Sequence, residues 1–496
     1  MRVACLYVPD FPLAAWLRAQ PELWGERVAV ARHSGAQAEI VAVSAAAQQR
    51  GVRPGMRAAQ AWSIDPSLTV RPLSPALQAS AQAALVDCAA SFSPCVEDAG
   101  EGLVYLDLQG LLGTLFSTAQ SAATALEQRA LRLGLSARIG VASGKLLAAL
   151  AAQQGEGVQV LSPAEEAEFL AALPVAALHP SEKVAATLQR WGIRTVGQLA
   201  ALPAPGVGSR LGPEGIALWR QARGEDLRPI VPRPLPEHFE EGIDLDYGVE
   251  SLEPLLFVLR GLLERLLARL ATQGWLCGGL QLRLHLTNRQ REEHTLPVSW
   301  PHNEVKPLLA LLRSHFEQHP PAAAIQGIGL RATAHPSRAV QLDLFRPAGP
   351  TATAWGATLS QVTALCGPER CGTPSIVPSH RPEAHTLRPF DPALPSPAPV
   401  ELHSPSPAPV LALRYVRPPR VVEVFCDRDR LDFVRGNGVG GRVVECSGPW
   451  RLEGEWWKEE ETYRRTYYDV HLSDGGLYRI YYEEQARTWF LEGVYD

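Results

Sequence analysis

Short apolar runs alternate with alanine-rich stretches of helical periodicity over the first third of the chain. Apolar runs of about four to eight residues are typical of buried strands, and they predict strands at 2–8, 27–31, 39–43, 102–108 and 137–142. Apolar positions that recur at helical spacing predict helices at 77–90, 118–133 and 145–153. This mixture predicts an α+β domain.

The next stretch, residues 166–230, looks entirely helical with short loops. The run 183–192 ends on a glycine, which is typical of a helix C-terminus. Thr195 is well placed to cap the short helix that follows. We therefore expect a small helical domain here.

Residues 236–340 follow a third pattern, in which strands and helices predict a β-α-β-β-α-β order. Leucines alternate with polar residues along 280–286, so the leucines share one strand face. The polar residues Gln281, Arg283 and His285 share the other face.

Proline dominates residues 346–410, which include the sequence PSPAP at 395–399 and again at 405–409. Such a stretch cannot bury enough apolar surface to fold alone, and we expect an extended spacer. Residues 411–496 are rich in aromatic residues, including a pair of tryptophans at 456–457. They predict a small C-terminal β-rich domain.

Composition narrows the class of protein. With 496 residues, the chain is too long for one compact core and predicts several domains. A formal net charge of −5 does not indicate a nucleic-acid-binding protein, although local basic faces can hide in such a balance. The cysteines are scattered, and neither an export signal nor a membrane-spanning stretch is evident, so we expect a cytoplasmic protein. Cys366 and Cys371 lack a second ligand pair, and we expect no metal and no cofactor.

Three sequence blocks lie in the order that Y-family DNA polymerases show. The blocks are 6–15 (LYVPDFPLAA), the pair 93–97 (SPCVE) and 105–107 (YLD), and 139–148 (IGVASGKLLA). Together they resemble the strands and turns of the polymerase palm. The resemblance covers about residues 1–340 and implies a right hand of palm, fingers, helix-hairpin-helix thumb and little finger.

The resemblance places the polymerase's metal-binding carboxylates at positions that hold other residues. Two-metal phosphoryl transfer needs carboxylates that hold both ions around the attacking and leaving oxygens. The family has an aspartate on the first strand and an aspartate–glutamate pair in the central turn, and here these positions are Val8, Gly102 and Leu103. Apolar groups cannot replace hard anionic ligands of Mg²⁺. We therefore expect a polymerase-like protein that is not an enzyme.

Two nearby carboxylates keep an alternative open. Asp10 and Glu101 could act as displaced metal ligands in an active translesion polymerase. Against this, Glu101 is one residue from the expected position, which should turn it to the opposite strand face. Asp10 follows Pro9, where the strand should end.

The resemblance implies that the nucleotide pocket has changed as well. The family's tyrosine and arginine that contact the triphosphate correspond to Ala45 and Gln48, and its aromatic residue at the sugar corresponds to Leu13. Of the two lysines in the third block, only Lys145 remains, since the second falls at Ala149. These losses all favour a non-catalytic protein.

This pattern resembles the ImuB family, catalytically inactive Y-family homologues from a bacterial damage-inducible mutagenesis complex. The resemblance implies an adaptor in translesion synthesis and the SOS response, located in the cytoplasm at the nucleoid. The implied partners are DNA, the β sliding clamp, an error-prone C-family DNA polymerase and a RecA-like protein, ImuA.

The motif QLDLF is the sharpest short signal in the chain. It resembles the bacterial clamp-binding pentapeptide, in which a glutamine makes polar contacts and large apolar residues fill a cleft. We expect Gln341 to set the register, Leu344 and Phe345 to be the anchors, and Asp343 to face solvent. The alternative is an ordinary edge strand that buries Leu342 and Leu344.

Two regions carry candidate DNA contacts. A glycine-rich run in the helical segment resembles a helix-hairpin-helix motif, whose backbone N–H groups contact phosphates. A polar sheet face in the β-α-β-β-α-β segment could lie along a duplex. A structural helical pair and a solvated sheet face are the alternatives. The residues expected to contact DNA are Gly206, Gly208, Arg210, Arg283, His285 and Arg331.

The predicted fold class is therefore α+β and multidomain, with a polymerase-like right hand and a C-terminal β-rich domain that binds partners. The predicted domains are the palm at 1–20 and 76–165, the fingers at 21–75, the thumb at 166–235, the little finger at 236–340, the clamp-binding motif at 341–345, the proline-rich linker at 346–410 and the C-terminal domain at 411–496.

Overall fold

The computed structural model divides the chain into two compact units, Met1–Leu365 and Cys366–Asp496. The residues that the structure describes are 2–226, 228–232, 234, 238–336, 352–379, 381, 384–388, 411–428, 430–436, 438–455, 457 and 462–496.

Two sheets form the N-terminal part of the first unit. Their strands are β1 (Val3–Tyr7), β2 (Val28–Ala31), β3 (Ile40–Val43), β4 (Thr69–Pro72), β5 (Val96–Gly100), β6 (Leu103–Asp107), β7 (Arg138–Ala142) and β8 (Val158–Val160). The larger sheet has the order β5-β6-β1-β7-β8 and the smaller one has the order β3-β2-β4. All five strands predicted in this region are confirmed.

Helices cover both faces of the larger sheet. The helices of this region are α1 (Phe11–Ala19), α2 (Ala45–Gln49), α3 (Ala58–Ile64), α4 (Pro75–Ala90), α5 (Ala119–Arg132) and α6 (Lys145–Gln154). Of these, α2 and α3 share a separate core with β2 and β3 of the smaller sheet. Ala4 and Leu6 of β1, and Val8 directly after it, lie in one core with residues of α1, α4 and α5, whereas Val3 and Cys5 lie in another core with α6. This alternation follows from the two-residue period of a strand. We call this region the first domain.

The helical domain follows on the α6 side of that sheet. It contains α7 (Glu166–Ala172), α8 (Glu182–Arg190), α9 (Val196–Ala200) and α10 (Ala204–Ala222), which is kinked at Gly212. Thr195 caps α9 by accepting a hydrogen bond from the Gln198 N–H, as its sequence predicts. Leu188 and Leu199 share the core of Val3 and Cys5.

The third domain has the predicted β-α-β-β-α-β order and a core of its own. Its elements are β9 (Phe239–Val249), α11 (Leu252–Thr272), β10 (Trp275–Leu286), β11 (Arg291–His302), α12 (Val305–Gln318) and β12 (Ile325–Pro336). The sheet order is β11-β10-β12-β9. Leu280, Leu282 and Leu284 are buried on one face of β10, as the alternation predicts.

The remaining elements include a closed six-stranded barrel. They are α13 (Ala352–Cys366), β13 (Thr373–Ile376), β14 (His385–Arg388), and the barrel strands β15 (Leu413–Asp427), β16 (Arg430–Gly436), β17 (Val439–Gly454), β18 (Tyr463–Leu472), β19 (Leu477–Glu483) and β20 (Thr488–Tyr495). The barrel core is small and aliphatic, with Val434, Val470 and Ile480 fully buried.

The fold class is α+β, as predicted, with a separate β-rich region at the C-terminus. The prediction of one extended spacer at 346–410 is wrong for α13 and for the β13–β14 hairpin. The prolines of this stretch cluster in its second half, whereas 352–366 contains no proline and is alanine-rich enough to form a helix.

Candidate active site and nucleic-acid interface

The three positions where the polymerase carboxylates are expected lie next to one another. The Val8 N–H donates to the carbonyl oxygen of Gly102 at 2.9 Å. Tyr7, the last residue of β1, pairs with Leu103 at the start of β6. The end of the first strand and the central turn therefore meet, as a two-metal site would require.

Apolar packing fills this place. The Val8 side chain is 1% exposed, in the core beneath α1. Gly102 has a φ of +79°, and a Cβ there would lie 2.8 Å from the Phe11 ring. Leu103 packs on the opposite sheet face, against the core of the α6 side. A carboxylate at Val8 would be buried without a partner, and a side chain at Gly102 would be strained.

Gln82 on α4 closes the central turn with side-chain hydrogen bonds. Its Oε1 accepts from the Gly102 N–H at 2.8 Å, and its Nε2 donates to Asp98 Oδ1 at 2.6 Å and to the Leu103 carbonyl at 3.3 Å. Sequence reasoning missed this residue because a single glutamine in an alanine-rich helix carries no signal.

Asp10 and Glu101, the possible displaced ligands, flank the same place. Both have a positive φ, of 46° and 50°, and both are exposed. Asp10 precedes the first residue of α1. Glu101 lies in the turn between β5 and β6 and not on a strand, so the expectation that it sits on the opposite strand face was wrong.

A cavity of about 370 Å³ lies where the nucleotide pocket is expected. It brings together Leu13, Ala45 and Gln48, the three positions that the resemblance matches to the family's nucleotide contacts. Its charged lining residues are Asp10 and Glu26, and no lysine or arginine of the described ranges lines it. The lining thus presents negative charge where a triphosphate would need positive charge.

Lys145, which the resemblance matches to one of the family's two lysines, is paired within the chain. Its Nζ donates to Glu97 Oε1 at 2.6 Å and lies 5.0 Å from the centre of the Tyr105 ring. The second carboxylate oxygen of Glu97 accepts from the Val231 N–H at 2.6 Å. Burial disfavours the ionised form of Glu97, yet these hydrogen bonds hold its pKa below the usual value.

Carboxylates of the chain also occupy the N-terminus of α6, next to Lys145. Asp226 Oδ2 accepts from the Leu146 N–H at 3.0 Å, and Glu166 Oε1 accepts from the Ser143 N–H at 2.7 Å. Helix N-termini favour anions, and these two carboxylates accept hydrogen bonds from the backbone N–H groups that a phosphate could otherwise bind. In the described residues, no group of three or more His, Cys, Asp or Glu side chains is placed to hold a metal ion.

The predicted DNA contacts of the helical domain gather at the start of α10. Gly206 and Gly208 lie in its first turns and not in a loop, so the expected glycine hairpin is a helix N-terminus here. Among the described residues, no side chain caps this terminus. Arg210 lies over the ring of Trp191, 5.8 Å from its centre, and both side chains are exposed. We call Arg190, Trp191, Arg210 and the first turn of α10 the helical surface.

The polar face of the third domain differs, because its arginines are paired. Arg283 Nη1 donates to Glu240 Oε1 at 2.6 Å, and Arg331 Nη2 donates to Glu240 Oε2 at 3.1 Å. Arg283 also forms an ion pair with Glu293 at 3.3 Å. His285 is exposed on the same strand. Sequence reasoning missed Glu240, whose strand register with Arg331 could not be read from the sequence.

The clamp-binding motif at 341–345 lies outside the described residues, so its prediction stays a prediction. No helix within the described ranges is both long enough and apolar enough to cross a membrane.

Comparison with known proteins supports the family. Residues 6–153 match the family model described as "impB/mucB/samB family", and residues 243–344 match the model of its C-terminal domain. "Protein ImuB" of Caulobacter vibrioides (strain NA1000 / CB15N) is 26% identical over 465 residues, which cover 90% of this chain and 100% of the relative. The chain belongs to the ImuB family of Y-family polymerase-like proteins. This places it in a family connected with DNA damage and mutagenesis.

Polymerases are also among the relatives. "DNA polymerase IV" of Dehalococcoides mccartyi (strain CBDB1) is 25% identical over 331 residues, which cover 65% of this chain and 85% of that protein. The crystal structure of DinB from Sulfolobus solfataricus is 16% identical with a TM-score of 0.43, and it covers 67% of this chain and 99% of that one.

Proposed function

We propose that this ImuB-family chain is a non-catalytic adaptor in DNA damage tolerance and induced mutagenesis. The observation that carries the proposal is the apolar packing at Val8, Gly102 and Leu103, where two-metal catalysis needs carboxylates. The acidic cavity beside α2 and the pairing of Lys145 with Glu97 support the same conclusion, because neither offers a cation to a triphosphate.

The domains are proposed to keep the polymerase arrangement, with the sequence boundaries given above. The two N-terminal sheets correspond to palm and fingers, the helical domain to the thumb and the third domain to the little finger. DNA is proposed to contact Gly206, Gly208 and Arg210 first, since this helical surface is exposed and cationic. Arg283, His285 and Arg331 are proposed as secondary contacts, because Glu240 competes with phosphates for both arginines.

The partners are proposed from the family resemblance and from the sequence. Gln341, Leu342, Asp343, Leu344 and Phe345 would bind the β sliding clamp. Residues 411–496 would recruit the error-prone C-family polymerase and the RecA-like protein ImuA. Such a chain would work in the cytoplasm, at the nucleoid.

Primer extension tests the absence of catalysis. The purified chain is expected to extend no primer with Mg²⁺ or Mn²⁺, whereas a Y-family polymerase extends it under the same conditions. Templated incorporation that is abolished in Asp10→Asn or Glu101→Gln would replace the adaptor with the alternative function, an active polymerase with displaced ligands. The observation that favours this alternative is that Asp10 lines the same cavity as Leu13 and Ala45.

Clamp capture tests the docking motif. The Leu344→Ala, Phe345→Ala double variant is expected to lose a contact of micromolar affinity, because two buried apolar anchors contribute on the order of several kcal/mol. Asp343→Ala is the matched control and should bind as wild type. If the double variant binds the clamp as the wild type does, another segment is the clamp-binding motif. If the double variant unfolds, the edge-strand interpretation is favoured.

A further inference from the structure

A buried ion cluster joins the first and third domains. Glu241 on β9 lies at its centre and accepts from Arg18 on α1 at 3.0 Å and from Arg269 and Arg265 on α11 at 3.1 and 3.3 Å. Arg269 Nε also donates to Asp87 on α4 at 2.6 Å. The ion cluster consists of Arg18, Ser80, Asp87, Glu241, Arg265 and Arg269.

The cluster is almost fully removed from water. The side chains of Glu241, Arg269 and Arg18 are 0%, 2% and 3% exposed. Burial disfavours the ionised form of Glu241, yet the three arginines lower its pKa to about 2. Three guanidinium groups thus face two carboxylates. Without Glu241, Asp87 would be the single carboxylate of the ion cluster left to balance three positive charges.

Directional contacts dominate this part of the domain interface. Arg265 Nη1 donates to the Ala19 carbonyl at 3.2 Å, and Arg129 Nη1 of the first domain donates to the Thr272 carbonyl at 3.1 Å. The apolar contribution is smaller: Ile243 and Ala268 are the third-domain residues, within the described ranges, that pack against the first domain's core. Arginine forks fit carboxylates and carbonyls in few orientations.

We propose that the ion cluster locks the third domain onto α1 and α4, so that the first, helical and third domains move as one rigid body with and without DNA. A small rotation would leave buried charges unpaired, which is costly, whereas an apolar interface can slide. The lock requires neither DNA nor clamp binding. Its consequence is a fixed distance between the start of α10 and Pro336, at the end of β12.

Hydrogen exchange on the full-length chain tests the lock. In the wild type, the amides of α4 and α11 should exchange slowly, and duplex DNA should not accelerate them. Glu241→Gln keeps the shape of the side chain but leaves the three arginines without their central anion, so exchange in both helices should rise at least tenfold. Glu240→Gln is the matched control, because the adjacent Glu240 side chain is 42% exposed on the other strand face.

The other outcomes are decisive as well. Fast exchange of α4 and α11 in the wild type, or a tenfold acceleration on DNA, would overturn the lock, as would unchanged exchange in Glu241→Gln. If that variant does not fold, the Asp87→Leu, Arg269→Met double variant tests the proposal instead. It removes one charge of each sign and so leaves the net charge of the ion cluster unchanged. Its interface amides should exchange severalfold faster while the amides of β10 stay protected, and wild-type rates at the interface would overturn the proposal.

Discussion

The first domain and the helical domain differ in how exposed their polymerase-like positions are. In the first domain, Val8 and Leu103 are built into two cores on the two faces of one sheet. In the helical domain, the start of α10 stays exposed, uncapped and close to Arg210. Catalysis needs charged groups that are precisely placed in a site shielded from water. Binding of DNA phosphates needs only cationic groups that are exposed at the surface.

The difference teaches that positions which the resemblance assigns to metal ligands are packed here with two cores. Val8 is as buried as the rest of its core, and the Gln82 side chain accepts a hydrogen bond from the Gly102 N–H of the central turn. On the helical surface, by contrast, the side chains of Arg190, Trp191 and Arg210 are exposed. Within the described part of the chain, Arg190 and Arg210 form no ion pair with a carboxylate.

The largest effect is expected from an aspartate at position 8, where the resemblance places the first metal-binding carboxylate. Val8→Asp would place an unpaired carboxylate in a core, which costs about 3 kcal/mol or more. We expect a clear drop of the thermal midpoint at neutral pH and a smaller drop at pH 4. The pH dependence follows because burial raises the pKa of the new carboxyl, so its penalty is present above the unfolded pKa and is relieved on protonation.

Val8→Thr separates charge from polarity in this experiment. It has the shape of valine and adds one hydroxyl, so it should cost about 1–2 kcal/mol with no dependence on pH. If Val8→Asp were as stable as the wild type and bound Mn²⁺, the site would be open, and the contrast between the two domains would fail.

Much of this contrast could be predicted from the sequence. The resemblance to Y-family polymerases assigned the metal-ligand positions to Val8, Gly102 and Leu103, and the structure brings the three positions together. The leucine alternation of β10 likewise fixed which of its residues are buried. Periodicity and spacing are local signals, and local signals are the ones that a single sequence carries.

The pairing of charges could not be predicted in the same way. Glu240 and Glu241 are neighbours in sequence, yet one holds Arg283 and Arg331 and the other holds Arg18. These partners are set by tertiary contacts between distant segments. One signal was available: Arg269 lies on the leucine-rich face of α11, where an arginine is out of place unless a carboxylate meets it.

The next largest effect concerns the helical surface. Arg190→Ala with Arg210→Ala should weaken binding to duplex DNA about tenfold at moderate salt and reduce the slope of log K against log salt by about 2. Binding should weaken equally for unrelated sequences, because phosphates carry no base identity. Fluorescence anisotropy over a salt series measures both quantities. An unchanged slope would show that these arginines do not meet phosphates.

A smaller effect, an increase in DNA affinity, is expected from a change in the third domain. Glu240→Gln removes the carboxylate that holds Arg283 and Arg331, and an exposed ion pair contributes about 0.2–1 kcal/mol. DNA affinity should therefore rise about two- to fivefold, with a steeper salt dependence. Glu264→Gln removes a carboxylate from an exposed ion pair of α11 and serves as the control. A fall in affinity would place the DNA on another face.

The smallest effect is expected when Arg283 and Arg331 are removed from the otherwise unchanged chain. Both guanidinium groups already bind Glu240, so Arg283→Ala with Arg331→Ala removes two cations but frees the carboxylate, and affinity should fall about twofold or less. In the Glu240→Gln background, the same pair of changes should cancel the entire gain, because the arginines are then available to phosphates. This non-additivity is the signature of competition between carboxylate and phosphate. Equal losses in both backgrounds would mean that the two arginines contact DNA despite Glu240, and the third domain would then resemble the helical surface.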